Sequence, residues 1–200
     1  MFEIREEKNA IRRKYKALRA SLTSEHKVAL DNEVCRRFTA LASFRFAETI
    51  LFYAPLEQEI DIMPAAELAL AQGKRIAFPR CNTDDHTMTY HYVTELSQLK
   101  VDSYGIREPS QDAPLFDPHK NKKACLCVVP ALVYDKQGFR LGYGRGYYDR
   151  FLMDFTGTTV GPIYRSFVID RVPRGRYDAN VDVLITEKGV ISLNVQRKKI

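Results

Sequence analysis

The chain has 200 residues, 45% hydrophobic and 28% charged, with a formal net charge of +6. It is long enough for a sizeable core, has no apolar stretch of membrane-spanning length, and lacks a secretory signal pattern in its charged N-terminus; one soluble, cytoplasmic domain over residues 1–200 is expected. The basic balance favours anionic ligands: nucleic acid, nucleotide phosphates or a polycarboxylate.

Two helices open the chain. The first spans about residues 3–20. Ile4, Ile11, Tyr15, Leu18 and Leu22 recur on one face, and Arg5, Lys8, Arg12, Lys16 and Arg19 on the adjoining one. Thr23 with Glu25 starts the second, which runs to about Phe44 with Leu30, Val34, Phe38 and Leu41 as its apolar stripe. Residues 49–54 then read as a strand. Residues 61–72 read as a helix with Asp61 as cap and Gly73 as stop, and 75–79 as a strand. Residues 87–93 alternate Met88, Tyr90 and Tyr92 against Thr87, Thr89, His91 and Val93, the pattern of a half-exposed strand. The stretch 102–121, rich in Pro, Asp and Gly, reads as a long surface loop. An apolar run at 125–134 reads as one buried strand. A helix near 147–154 and strands at 158–164, 181–186 and 190–195 follow. Apolar strands alternating with helices imply the α/β class, with a mostly parallel sheet covered on both faces.

Between the buried run and the 147–154 helix lies Arg140-Leu141-Gly142-Tyr143-Gly144-Arg145-Gly146-Tyr147-Tyr148-Asp149. Alternate glycines let a backbone bend sharply and approach a ligand, while the helix start aims N–H groups and a positive dipole end at the same spot. Two arginines on so tight a turn repel unless an anion lies between them or they face opposite ways. The spacing is neither a P-loop nor the dinucleotide fingerprint. Asp149 reads either as a complement to the helix dipole or as a Mg²⁺ ligand beside phosphates. Asp182 precedes an apolar strand, and carboxylates at strand ends of α/β sheets often face the ligand crevice. Lys8 and Arg12, i,i+4 neighbours, lie on a helix face that could simply be solvated. Glu59 follows the first strand. The four histidines are scattered without a nucleophile–base pattern, so a Ser/His or Cys/His hydrolase has no support. The four cysteines form no Cys-x-x-Cys pair, so reduced thiols are expected and structural zinc is not. Aromatic residues do not interleave with the basic stripe of the first helix, which argues against nucleic acid.

These segments, in order, resemble the 5-formyltetrahydrofolate cyclo-ligase family. Lys8-Asn-Ala-Ile-Arg12 is similar to its N-terminal Lys-x3-Arg, and 52–61 to its folate-side loop. Phe78-Pro79-Arg80 and 104–109 fall at suitable spacing, 129–149 resembles the signature region, and 181–187 the closing segment. The resemblance implies a three-layer α/β/α sandwich and an ATP- and Mg²⁺-dependent ring closure of 5-formyltetrahydrofolate, through a phosphorylated formyl oxygen, to 5,10-methenyltetrahydrofolate with ADP and phosphate. By it Lys8, Arg12, Arg140 and Arg145 would hold phosphates, and Leu141, Gly142, Tyr143, Gly144, Gly146, Tyr147 and Tyr148 would wrap ATP. Arg140, Arg145 and Tyr147 would serve the reacting groups. Asp149 and Asp182 would hold Mg²⁺, and Ala54, Glu59, Tyr104 and Tyr147 would contact the folate. A monomer with small-molecule partners is expected, with no nucleic acid and no membrane; the basic surface would suit a polyglutamylated tail. Ala131, Arg145, Val168 and Tyr177 depart from the family's common Gly, Gly or Lys, Gln and His.

Overall fold

The computed structural model describes residues 2–102, 105–120, 124–175 and 178–193. Its helices are α1 (Phe2–Ala20), α2 (Ser24–Ala40), α3 (Ala42–Phe46), α4 (Met63–Ala71) and α5 (Tyr147–Asp154). The strands are β1 (Thr49–Leu51), β2 (Arg75–Cys81), β3 (Met88–Val93), β4 (Lys100–Val101), β5 (Arg107–Glu108), β6 (Cys125–Val128), β7 (Val133–Asp135), β8 (Arg140–Leu141), β9 (Thr158–Pro162), β10 (Val168–Ile169), β11 (Val183–Thr186) and β12 (Gly189–Ser192). Seven of them form the central sheet in the order β12-β11-β9-β6-β1-β2-β3. The five inner strands run parallel, and β3 and β12 are antiparallel edges.

Register decides which residues meet which layer. Leu51, Ala77 and Cys127 align across three strands, and Pro79 aligns with Tyr90. This face receives α5, whose Phe151 ring lies 4.8 Å from that of Tyr90. Ile50, Ile76 and Leu126 align on the other face, next to Phe78. There α2 and α4 pack, with Phe38 of α2 edge-on to Phe52, which stacks on Phe78. Helices on both faces make the three-layer α/β/α sandwich.

Several boundaries differ from the sequence reading, each for a local reason. The second helix does not reach Phe44. It stops at Ala40, because Leu41 takes extended backbone angles (φ −61°, ψ 140°), and α3 restarts so that Phe44 packs edge-on to Phe38 at 5.2 Å. The run 125–134 is two strands in two sheets. Pro130 offers no N–H to a ladder, and the chain turns there before β7 joins the small sheet β10-β7-β8. The 102–121 stretch is less of a free loop than expected. Tyr92 N–H donates to Pro114 O at 2.8 Å and Phe116 N–H to Tyr90 O at 2.7 Å, so the segment covers β3 and buries His91. In α1 the expected faces are partly exchanged. Leu18 is 42% exposed and Ile4 39%, whereas Arg19 is 4% exposed.

Asp135 fixes the link between the sheets. Its carboxylate is fully buried and accepts from the N–H groups of Gln137 (2.9 Å), Phe139 (3.0 Å) and Val172 (3.1 Å) and from Arg174 Nη2 (2.9 Å). Tyr134 beside it donates to Val129 O at 2.7 Å, and its ring fills the space that a Cβ on Gly161 would need. Removing the carboxylate leaves buried donors without an acceptor. Asp135→Ala is expected to lower unfolding free energy by about 3–5 kcal/mol in urea titration. A loss below about 1 kcal/mol would mean that the donors find other acceptors.

Candidate active site

The candidate residues collect where the parallel strands end. The segments after β1 (52–60) and after β6 (129–132) leave this edge of the sheet, and α1 lies across them. Arg19 joins all three: Nη1 donates to Gln58 O at 2.7 Å, and Nη2 to Ala131 O at 2.8 Å and Leu132 O at 3.3 Å. Its guanidinium also lies 5.6 Å from the Tyr164 ring centroid and 5.1 Å from that of Phe167.

On one side, Leu132 N–H donates to Leu141 O at 2.9 Å, which seats the glycine turn beside the 129–132 segment. Gly144 (φ +106°) and Gly146 (φ +77°) occupy backbone conformations that L side chains rarely adopt, and a Cβ on Gly144 would press on the Arg12 guanidinium at 3.4 Å. Gly142 is not so constrained and opens onto free space. Arg12 Nε donates to Gly142 O at 3.0 Å and Nη1 to Asn9 Oδ1 at 2.7 Å. Burial pulls its pKa down while Asp178 acts in the opposite direction. Lys8 Nζ pairs with Asp178 at 2.6 Å. Gly146 caps α5 without a side-chain hydrogen bond to the helix.

The two arginines of the turn face different ways. Arg140 is 7% exposed; Nη2 pairs with Asp149 Oδ1 at 2.6 Å and Nη1 donates to Ala179 O at 3.0 Å. Arg145 is exposed, and its carbonyl accepts from Arg150 Nη1 at 3.0 Å; the same nitrogen donates to His86 O at 3.3 Å. Tyr147 turns an edge toward the His86 ring at 6.0 Å. Tyr148 points into the sheet–helix interface, where its hydroxyl meets that of Tyr90 at 3.4 Å.

On the other side, Ala54 and Glu59 are buried at 8% and 6% exposure. Glu59 Oε2 accepts from Leu56 N–H at 3.0 Å, and burial raises its pKa above the usual glutamate value, with Arg19 and Lys27 pulling it back. Tyr143 reaches from the glycine turn toward this side. Lys16 Nζ lies 5.3 Å from its ring centroid, and burial, with Glu59 nearby, pushes its hydroxyl pKa up to about 12.

Lys8, Arg12, Arg140, Tyr143, Asp149, Ala54 and Glu59 therefore lie at one strand-end edge of the sheet. Asp182 stands at the opposite edge, where β11 begins. Its Oδ2 accepts from Thr159 N–H (2.7 Å) and Oγ1 (2.8 Å), and it lines a cavity of about 460 Å³ with Ala47, Ala124 and Gly157. Tyr104 and Tyr177 lie outside the described residues. Among the departures from the family pattern, Ala131 supplies a carbonyl to Arg19 and Val168 lies in β10. Sequence reasoning missed Arg19 as a clamp and Asp178 as the partner of Lys8. Arg19 was visible only as the last member of the basic stripe, and Asp178 lies 170 residues from Lys8.

Comparison with known proteins gives the family. Residues 4–187 match the 5-formyltetrahydrofolate cyclo-ligase family. A protein of Haemophilus influenzae named 5-formyltetrahydrofolate cyclo-ligase is 26% identical over 189 residues, covering 90% of this chain and 98% of that protein. The NMR structure of Aquifex aeolicus 5,10-methenyltetrahydrofolate synthetase superposes with a TM-score of 0.82 at 31% identity, covering 95% of this chain and 94% of that one. A Mycoplasma pneumoniae 5,10-methenyltetrahydrofolate synthetase shares the fold at a TM-score of 0.72 and 23% identity. With nearly the whole chain matched and the glycine turn seated against α1 at the strand ends, the chain belongs to the 5-formyltetrahydrofolate cyclo-ligase family.

Proposed function

We propose that this protein closes 5-formyltetrahydrofolate to 5,10-methenyltetrahydrofolate at the expense of ATP. The observation that carries the reading is the grouping at one strand-end edge: a cationic glycine turn held against α1, with its Tyr143 near the buried carboxylate of Glu59 and Arg19 tying the frame together. An amide-like formyl oxygen is a poor leaving group, and transfer of the γ-phosphoryl group makes it a good one. N10 then attacks the activated carbon and phosphate departs. Phosphoryl transfer needs positioning and charge neutralisation rather than a protein nucleophile.

In this reading Lys8, Arg12 and Arg140 neutralise phosphate oxygens. The N–H groups opening α5, with no side-chain cap, receive one of them. Exposed Arg145 closes over the nucleotide from outside, and Tyr147 lines the junction with the folate. Tyr143 bridges the two halves, and Glu59, beside Ala54, accepts from the pterin. Asp149 uses Oδ1 for Arg140 and Ala179 N–H and is 29% exposed at the side chain, which fits the usual way of holding Mg²⁺ by one or two carboxylates plus phosphate oxygens. When bound, Mg²⁺ would neutralise charge on the phosphates. Asp182 stands apart from this cluster, with Thr159 as its partner.

The test is direct. Purified protein with ATP, Mg²⁺ and 5-formyltetrahydrofolate should raise methenyl absorbance, and binding without turnover would sink the enzymatic reading. Arg140→Ala should lower turnover by roughly 10²–10³, by analogy with loss of one preorganised donor. A pH series checks Glu59. Because burial raises its pKa, Glu59 takes up a proton at a higher pH than an exposed glutamate, so the KM for folate should climb as pH falls through that raised value. Glu59→Gln should raise KM about tenfold at neutral pH, the equivalent of roughly one hydrogen bond to a charged group, and remove the acid limb. An unchanged KM in that variant would take Glu59 out of the folate site.

A further inference from the structure

We infer that the tip of the β2–β3 hairpin belongs to the active site, with His86 as a positioning residue for Tyr147; this rests on the proposed place of Tyr147 at the junction of folate and nucleotide. The hairpin leaves the sheet after Cys81 and returns at Met88. Its tip is closed by its own groups. Thr87 N–H and Oγ1 donate to Asp85 Oδ1 at 2.8 and 2.6 Å, and Asn82 N–H donates to Thr87 O at 2.9 Å. The closed tip carries His86 as a unit to the start of α5. There the His86 ring meets the Tyr147 ring edge-on, with 6.0 Å between centroids and 89° between planes.

The contact is held against local costs. His86 has φ +57°, in the left-handed region that a residue with a side chain adopts at an expense in strain. Its Nδ1 is buried without a hydrogen-bond partner among the described residues, which is a second cost. Such costs persist where surrounding contacts over-determine the geometry. Here the determining contact is Arg150. Its Nη1 donates to His86 O at 3.3 Å and to Arg145 O at 3.0 Å, and so ties the hairpin tip to the glycine turn. Gly146 leaves room for it, since a Cβ there would meet the same Nη1 at 3.0 Å. A cation at the start of a helix stands against the dipole, so charge alone does not bring Arg150 to this place; the two carbonyls do. An edge-to-face ring pair favours one mutual orientation. His86 does not touch the reacting atoms; it narrows the rotamers of Tyr147 before the substrates arrive.

Steady-state kinetics with ATP, Mg²⁺ and 5-formyltetrahydrofolate test this. His86→Asn removes the ring but suits a left-handed backbone. It should lower kcat/KM for folate about fivefold, the scale of one lost ring pair. The loss should fall on kcat and folate KM and leave the calorimetric affinity for ATP unchanged. His86→Gly, which also relieves the backbone, should show the same loss, and His86→Phe, which keeps a ring, should recover most of it. His86→Asn combined with Tyr147→Leu should be no slower than Tyr147→Leu alone, because His86 acts through Tyr147. A purely structural role would instead lower the thermal midpoint and make the two substitutions additive. Unchanged kcat/KM in both His86→Asn and His86→Gly, or full additivity with Tyr147→Leu, overturns the inference alone. Absence of turnover by the unaltered protein overturns the enzymatic reading as well.

Discussion

The site depends on a single buried guanidinium. Arg19 reaches from the last turn of α1 to three carbonyls that belong to two different strand ends. The carbonyls of Ala131 and Leu132 are bonded in buried surroundings, where a polar group must find a donor away from water, and that of Gln58 is part-buried. A planar fork of donors suits the task, and rings on its face supply further stabilisation. The same contact fixes the distance between the 52–60 loop and the 129–132 turn, and with it the spacing of the two halves of the site. Its Nε has no acceptor among the described residues, a cost that marks the position as specialised for bridging rather than for maximal stability.

Around that frame, charge is arranged in closed pairs. Lys8 meets Asp178, Arg140 meets Asp149, and Arg174 meets Asp135. The first two pairs line the proposed nucleotide side. The third holds the turn after β7, whose next strand begins at Arg140. Burying cations next to one another is tolerable only if each has a local counter-charge. A highly charged ligand can then exchange partners with these groups without entering a site of bare positive charge.

Much of the fold was legible because period and punctuation are local. The glycine stop at residue 73, the helix at 147–154 and the alternation of strands with helices follow from neighbouring residues, and the structure places α4, α5 and a mostly parallel sheet accordingly. The glycine turn was legible for the same reason. What escaped depends on contacts distant in sequence. Nothing near Leu18 or Arg19 indicates that the arginine turns inward while the leucine stays out, since the carbonyls that draw it in lie 39 to 113 residues away. The apolar run at 125–134 hid a change of sheet that hinges on Pro130. The acidic residues show the limit most plainly. Asp149 and Asp182 look alike beside apolar elements, yet one faces the cationic site and the other secures the opposite edge through Thr159.

The place of β1 in the interior of the sheet bears on how the chain assembles. Its neighbours are β2, which begins at Arg75, and β6, which begins at Cys125. During synthesis, the first neighbour arrives soon after β1, but the second is still unmade when the whole β1–β3 portion has emerged. Until then a short, apolar strand presents open backbone groups, the condition under which nascent chains associate wrongly. Closure across so long a separation is slow. The helical N-terminal segment α1–α3, which can form from local contacts, is therefore the natural early cover, and variants that loosen α2 should be felt first as poor yield of folded protein.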